Sequence, residues 1–192
     1  MLSISNAPSV DIGDRILGAA ASCVVDFGVD RVTLAEIARR AGVSRPTVYR
    51  RWPDTDSILA ALLTERVTHG WREVRSRGTG RIALVERIVA VAERLRNDDV
   101  IMSMLRTAPE FIMVYITQRL GTSQHVLLDA FADELRAAQR EGSVRAGNPR
   151  KMAAMVLLIT QSTIQSAQMV RPILDGRALA AELAYSLNGY LS

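Results

Sequence analysis

The sequence predicts an all-α chain: a short N-terminal helix-turn-helix unit followed by a longer helical unit. Three observations predict it. Apolar residues recur at helical spacing along most of the 192 residues. Alternating β-branched runs bounded by turn residues, the mark of strands, are missing. Cap and stop residues (Thr33 with Glu36, Gly28, Gly42, Pro53) stand where the periodic segments begin and end.

The elements follow in order. Residues 1–10, MLSISNAPSV, carry no Lys or Arg and no long apolar run, and read as a flexible arm. Ile12, Ile16, Ala19, Cys23 and Phe27 share one face of a helix over 11–27, stopped by Gly28. Thr33-Leu-Ala-Glu36 is a capping-box pattern that opens a helix to about Arg40. After Gly42, Ser44 caps a helix over 45–51 that ends at Pro53. Asp54 or Asp56 opens a fourth helix to about Arg75, and SRGTGR breaks the pattern. A helix over 81–96 turns Ile82, Val85, Ile88, Val89 and Ala92 inward, and Asn97-Asp98-Asp99 starts a short one near 100–106. Pro109 opens a long segment to about Arg140 with an interruption at Gly121. Two helices, 150–171 and 176–190, complete the chain.

Composition narrows the class. With 48% hydrophobic and 23% charged residues the chain is globular and long enough to bury a core. The single cysteine, Cys23, excludes an intramolecular disulfide and falls in an apolar stripe, as a buried thiol would. The longest uncharged run, Met152 to Val170, is interrupted by Gln161, Ser162, Thr163, Gln165, Ser166 and Gln168, which favours a buried interface helix over a membrane span. The expected location is the cytoplasm. Basic residues number 24, and only Lys151 is a lysine. Their placement matters more than their sum. Residues 31–52 hold Arg31, Arg39, Arg40, Arg45, Arg50 and Arg51 against Glu36 alone, a local excess larger than the +4 of the whole chain.

Helical projection assigns work to that stretch. With Val48 set inward, Trp52 falls about 40° away, while Pro46 and Arg50 fall about 160° and 200° away and point outward. Thr47 and Tyr49 flank the outward face. A major groove accepts such a helix: Arg50 can fork onto guanine O6 and N7, Thr47 can reach a base edge or phosphate, and Pro46 can meet a thymine methyl. Ser44 and Tyr49 can bond phosphate, and Arg45 and Arg51 can neutralise it. A solvated basic helix face in an unrelated protein is the bland alternative.

Here the motifs carry a resemblance. An apolar helix ending FGVDRVT, then LAEIARRAGVS, then PTVYRRWP, then a capped helix with Ile58, Leu59 and Leu62, resembles in order the N-terminal domain of TetR-family transcriptional regulators. The likeness spans about Asp14 to Val67. After the arm over 1–10, it implies a DNA-binding domain over 11–54 and a ligand-sensing, dimerising domain over 55–192. It also implies a dimer on a palindromic operator and, most commonly in that family, repression. Thr33, Ser44, Arg45, Pro46, Thr47, Tyr49, Arg50, Arg51 and Thr55 are the expected DNA-binding positions. At Thr55 the sequence departs from its relatives, which often carry a lysine there. Threonine can donate a hydrogen bond to phosphate but releases no counterion.

In the C-terminal part, VIMSMLRTAPEFIMVYI (100–116) is rich in methionine, a residue that lines adaptable pockets. Met102, Met104, Arg106, Phe111, Met113 and Tyr115 are the expected ligand contacts, for a small, largely apolar molecule. Arg106, Glu110 and Arg119 are the nearest charges. The uncharged run 152–170 leaves no wet face, so a partner copy is expected on it. Leu158, Gln161, Gln165 and Gln168, with Leu183 and Leu187 of the last helix, are the expected dimer contacts.

Enzyme readings fail on context. Gly78-Thr-Gly80-Arg-Ile-Ala83 fits a dinucleotide fingerprint only on paper, because a charged helical segment, not a buried strand, precedes it. His69 and His125 lack metal-ligand spacing, Asp98-Asp99 reads as a helix cap, and no GxSxG or Cys-His signature occurs. No catalytic residue, metal or cofactor is expected. The rival from another class is an all-α small-molecule binder or enzyme with an incidental basic helix pair. A convergent polar cluster in the C-terminal half would mark it.

Overall fold

The computed structural model describes residues 11–117 and 120–192, and for 115–117 the backbone alone. The expected arm 1–10 and Arg119 therefore lie outside the described residues, as does the side chain of Tyr115. Among the described residues the chain forms ten helices and no strand: α1 (Ile12–Phe27), α2 (Leu34–Ala41), α3 (Arg45–Arg51), α4 (Thr55–Glu73), α5 (Gly80–Arg96), α6 (Asp99–Thr107), α7 (Pro109–Thr117), α8 (Thr122–Arg140), α9 (Pro149–Val170) and α10 (Gly176–Leu191). A single 3-10 turn, Val29–Arg31, links α1 to α2. Contacts divide the chain into two units, 1–62 and 63–192, so the division falls inside α4.

The N-terminal unit closes over a small interior. Ile16, Ala20, Cys23 and Val24 of α1, Ile37 and Ala38 of α2, Val48 of α3 and Ile58, Leu59 and Leu62 of α4 are all buried. Burial pushes the Cys23 thiol above its ordinary range, so it stays protonated and inert. Ile12 and Phe27, expected in the α1 stripe, are each 42% exposed. Both stand at helix ends, and the Phe27 ring is covered by the Arg40 guanidinium at 4.6 Å instead of by core.

The C-terminal unit is a bundle around α5, which packs against α6, α8, α9 and α10. Its central layer includes Leu84, Val85 and Ile88 of α5, Phe131 and Leu135 of α8, Val156 of α9 and Leu187 and Leu191 of α10. Trp71 of α4 meets Phe131 edge-on, ring centres 5.2 Å apart. Arg87 of α5 locks the end of α4. Its guanidinium lies 3.7 Å over the Trp71 ring, donates to the carbonyls of Trp71 (2.8 Å) and Val74 (2.7 Å), and pairs with Glu134 of α8. Those carbonyls belong to the last turn of α4 and just past it, where a helix has no acceptor partners of its own. Ile82, expected inward, is 54% exposed because it stands in the first turn of α5. The long segment from Pro109 is two helices, with α8 restarting after Gly121. No helix among the described residues is long and apolar enough to cross a membrane.

Candidate functional site

The helix-turn-helix is built by caps. The Thr33 hydroxyl accepts from the Glu36 N–H at 3.2 Å and starts α2. The Glu36 carboxylate does not turn back to complete a box; it accepts from Arg39 (2.6 and 2.8 Å) and Arg40 (3.0 Å). Those donated bonds pull the Glu36 carboxyl down to about 2. At the end of α2, Gly42 takes a left-handed conformation (φ 62°, ψ 38°) and returns its N–H to the carbonyls of Ala38 and Arg39. The Val43 N–H also reaches the Ala38 carbonyl at 3.1 Å, completing a Schellman-type turn. From α1, Arg15 donates to the Ala41 carbonyl at 2.7 Å and braces that turn. The Ser44 hydroxyl then caps α3 by accepting from the Thr47 N–H. Pro46 stands in the first turn of α3, where spare N–H groups make a missing donor harmless.

Tertiary structure sorts the charge. Arg39 and Arg40 are held by Glu36, and Arg40 also by Asp26 at 2.5 Å. Arg45 and Arg50 are exposed and carry no hydrogen bond or ion pair among the described residues. Pro46 and Tyr49 are exposed with them, and Val48 on the opposite side is fully buried. The projected outward face is therefore the solvent face of α3. Thr47 is half-buried, its hydroxyl 2.8 Å from that of Ser44, so the two hydroxyls already engage each other. Arg51 is exposed and stands 3.7 Å from the Asp11 carboxylate. Thr55 is the first residue of α4 and half-exposed. Asp54 is the cap of that helix, its carboxylate accepting from the Ser57 N–H at 2.7 Å. A fixed negative charge thus stands beside Thr55, where the family resemblance led lysine to be expected.

The C-terminal unit contains a partly open cavity of about 120 Å³. Leu63 and Val67 of α4, Val91 and Leu95 of α5, Ile101 and Leu105 of α6 and Ile112 of α7 form its apolar walls, with Leu127 and Phe131 of α8 and Leu157 of α9 opposite. Ser123, Gln124, Thr160, Gln161 and Gln165 supply polar atoms, and among the described residues no charged side chain lines it.

Of the expected ligand contacts, Met102, Met104, Arg106, Phe111 and Met113 do not line this cavity. Met102 and Met104 are buried elsewhere, Arg106 is exposed, Met113 is 48% exposed, Phe111 is half-buried off the cavity, and the Tyr115 side chain lies outside the described residues. On α6 it is Ile101 and Leu105, one turn apart, that line the space. Methionine suits many environments, so its abundance carried no direction. The lining glutamines and Phe131 gave no distinct signal in the sequence.

The expected dimer contacts also separate. Leu158 (57%) and Gln168 are exposed, but Gln161 and Gln165 turn to the cavity, and Leu183 and Leu187 are closed inside their own unit. The exposed stripe of α9 is instead Met155, Leu158, Ser162 and Met169, and on α10 the large exposed apolar residue is Tyr185 at 77%. Residues 152–170 of α9 carry no charge, so they offer no charged face from which to read the rotation.

Comparison with known proteins agrees with this arrangement. The family described as bacterial regulatory proteins, tetR family, matches residues 16–62, which run from α1 into α4. The uncharacterized HTH-type transcriptional regulator Rv2250c of Mycobacterium tuberculosis is 64% identical over 191 residues, covering the whole of both chains. Among solved structures, the TetR-family transcriptional repressor QsdR of R. erythropolis superposes with a TM-score of 0.69 at 17% identity, covering 94% of this chain and 96% of that one. The TetR-family repressor AlkX of Dietzia, at 21% identity, gives 0.66 over 98% and 97%. The helix-turn-helix geometry, the free basic face of α3 and a relative similar over its full length lead to one conclusion: the chain is a DNA-binding transcriptional regulator and belongs to the TetR family.

Proposed function

We propose that the chain is a homodimeric, cytoplasmic repressor that binds a near-palindromic operator and leaves it when a small, largely apolar ligand fills the C-terminal cavity. The observation that carries this reading is α4. It is one continuous helix, it starts three residues after the basic helix α3, and its Leu63 and Val67 form part of the cavity wall. A ligand that prefers one position of that wall shifts the helix, and with it the spacing of the two α3 helices in a dimer. Half-sites one turn apart, about 34 Å, tolerate little change in that spacing. About 1.4 kcal/mol of coupling is enough for a tenfold loss of operator affinity.

In this reading Arg50 contacts bases, Arg45, Tyr49 and Arg51 hold phosphates, and Ser44, Pro46, Thr47 and Thr55 line the contact. Thr33 adds a contact at the start of α2. The apolar stripe Met155, Leu158 and Met169, with Tyr185, is the face offered to the second copy. Selection of bound duplexes from a random pool tests the core of the proposal. An inverted repeat with half-sites one helical turn apart, bound by a species that scatters light as a dimer at micromolar concentration, is the expected result. Recovery of lone half-sites by a monomer refutes it. A promoter carrying the selected site should be silenced by the protein, and activation would refute the repressor assignment.

A further inference from the structure

We infer that the cavity selects an uncharged ligand with a hydrogen-bond acceptor oxygen on a mainly hydrocarbon body, and that the Gln161 side-chain amide donates to that oxygen. The inference rests on the reading of this cavity as the effector site and names the chemical class it admits. Among the described residues no ionisable side chain lines the walls, so a carboxylate or ammonium brought there loses its hydration and meets no counter-charge from them.

The polar atoms are not equivalent, and a backbone group fixes their order. The Gly121 N–H can only donate, and it reaches Gln124 Oε1 at 2.7 Å. The other end of that amide, Nε2, must then face away, and it donates to Gln161 Oε1 at 2.6 Å. With its oxygen turned to Gln124, Gln161 has its NH₂ group, a donor, left to serve the cavity that the residue lines. Thr160 does not compete for this role, since its hydroxyl hydrogen goes to the Val156 carbonyl at 2.8 Å. A chain of three groups, anchored on one peptide N–H, therefore sets the polarity of the site. A ketone, ester or amide carbonyl satisfies the Gln161 donor, whereas a donor-only head such as an ammonium meets another donor there.

The test uses the full chain and three probes of equal length: decan-2-one, decanoate and decylamine, with binding read by calorimetry and thermal shift. Wild type should bind the ketone at least about tenfold more tightly than either ion. Gln161→Leu should lower ketone affinity about tenfold, and Gln161→Glu, which replaces the donor by a charged acceptor, should reverse the order so that decylamine binds better than decan-2-one. Loss of stability alone does not produce such a reversal. If decanoate binds wild type as well as the ketone, or Gln161→Leu leaves ketone affinity unchanged, the assignment is overturned while the cavity stands as the effector site. Leu127→Trp separates the two claims by filling the cavity. If binding survives it, or if no probe binds wild type, the effector-site reading falls and this inference with it.

Discussion

Replacing Gly42 by alanine isolates the turn that aims α3. Gly42 sits at φ 62°, a region that costs a residue with a Cβ about 1–2 kcal/mol. An added Cβ also comes within 3.3 Å of the Arg15 terminal nitrogen that donates to the Ala41 carbonyl. That nitrogen ends a flexible side chain, so it yields by a few tenths of an ångström and loses part of a charge-assisted bond worth about 1.5–3 kcal/mol. Alanine recovers about 0.4–1 kcal/mol by restricting the unfolded chain. The net expectation is about 1–2 kcal/mol of local destabilisation, or about a tenfold faster opening of the turn. Hydrogen–deuterium exchange of the full chain reads this directly. Peptides covering residues 33–52 should lose about tenfold protection while those of α8 and α9 keep theirs. Gly142→Ala is the control: its φ is 73° and nothing stands near the added Cβ, so it carries a similar backbone cost at a site remote in sequence and leaves 33–52 unchanged. Gly42→Asn should lose less than Gly42→Ala, because asparagine tolerates the left-handed region. Unchanged exchange at 33–52 in Gly42→Ala would refute the claim that left-handed backbone at this position holds the two helices.

Three further predictions concern the DNA face and its charge. Arg50→Ala should cost about 1–3 kcal/mol on a selected operator and relax preference at one position of each half-site, whereas a uniform loss on all sequences would contradict base reading. Thr55→Lys should tighten binding and steepen the slope of log affinity against log salt by about 0.9 per half-site; an unaltered slope would mean that the neighbouring Asp54 carboxylate keeps phosphate away from the start of α4. The Glu36 carboxyl is held at about 2, below its usual 4.5, by bonds from Arg39 and Arg40. A depressed pKa contributes stability above pH 4.5 that is lost as pH falls through about 2. Unfolding curves of wild type and Glu36→Gln should therefore stand apart near neutrality and converge between pH 4.5 and 2, and parallel curves would discount the Arg39–Glu36–Arg40 cluster.

The helix-turn-helix was legible in the chain because its signals are local. Thr33, Gly42, Ser44 and Pro46 act on backbone within a few residues of themselves, and Val48 fixes by helical geometry which side chains of a seven-residue helix face out. The solvent face of α3 found in the structure is the one that projection gives. The start of α6 followed for the same reason, with Asp98 capping it by its side chain.

The cavity and the exposed faces of the last helices were not legible, and the cause is the same in both. Beyond Arg150 and Lys151 in the first turn of α9, the stretch 152–170 offers no charged side, so those residues do not say which side meets the core. Packing against α5, α8 and α10 settles that rotation. It turns Gln161 and Gln165 to the cavity, leaves Leu158 and Met169 outside, and closes Leu187 within the unit. The charge on the DNA face obeyed both levels. Its arginines are dictated by sequence, but long-range geometry alone decides that Asp26 occupies Arg40 while Arg45 and Arg50 are left to meet a partner.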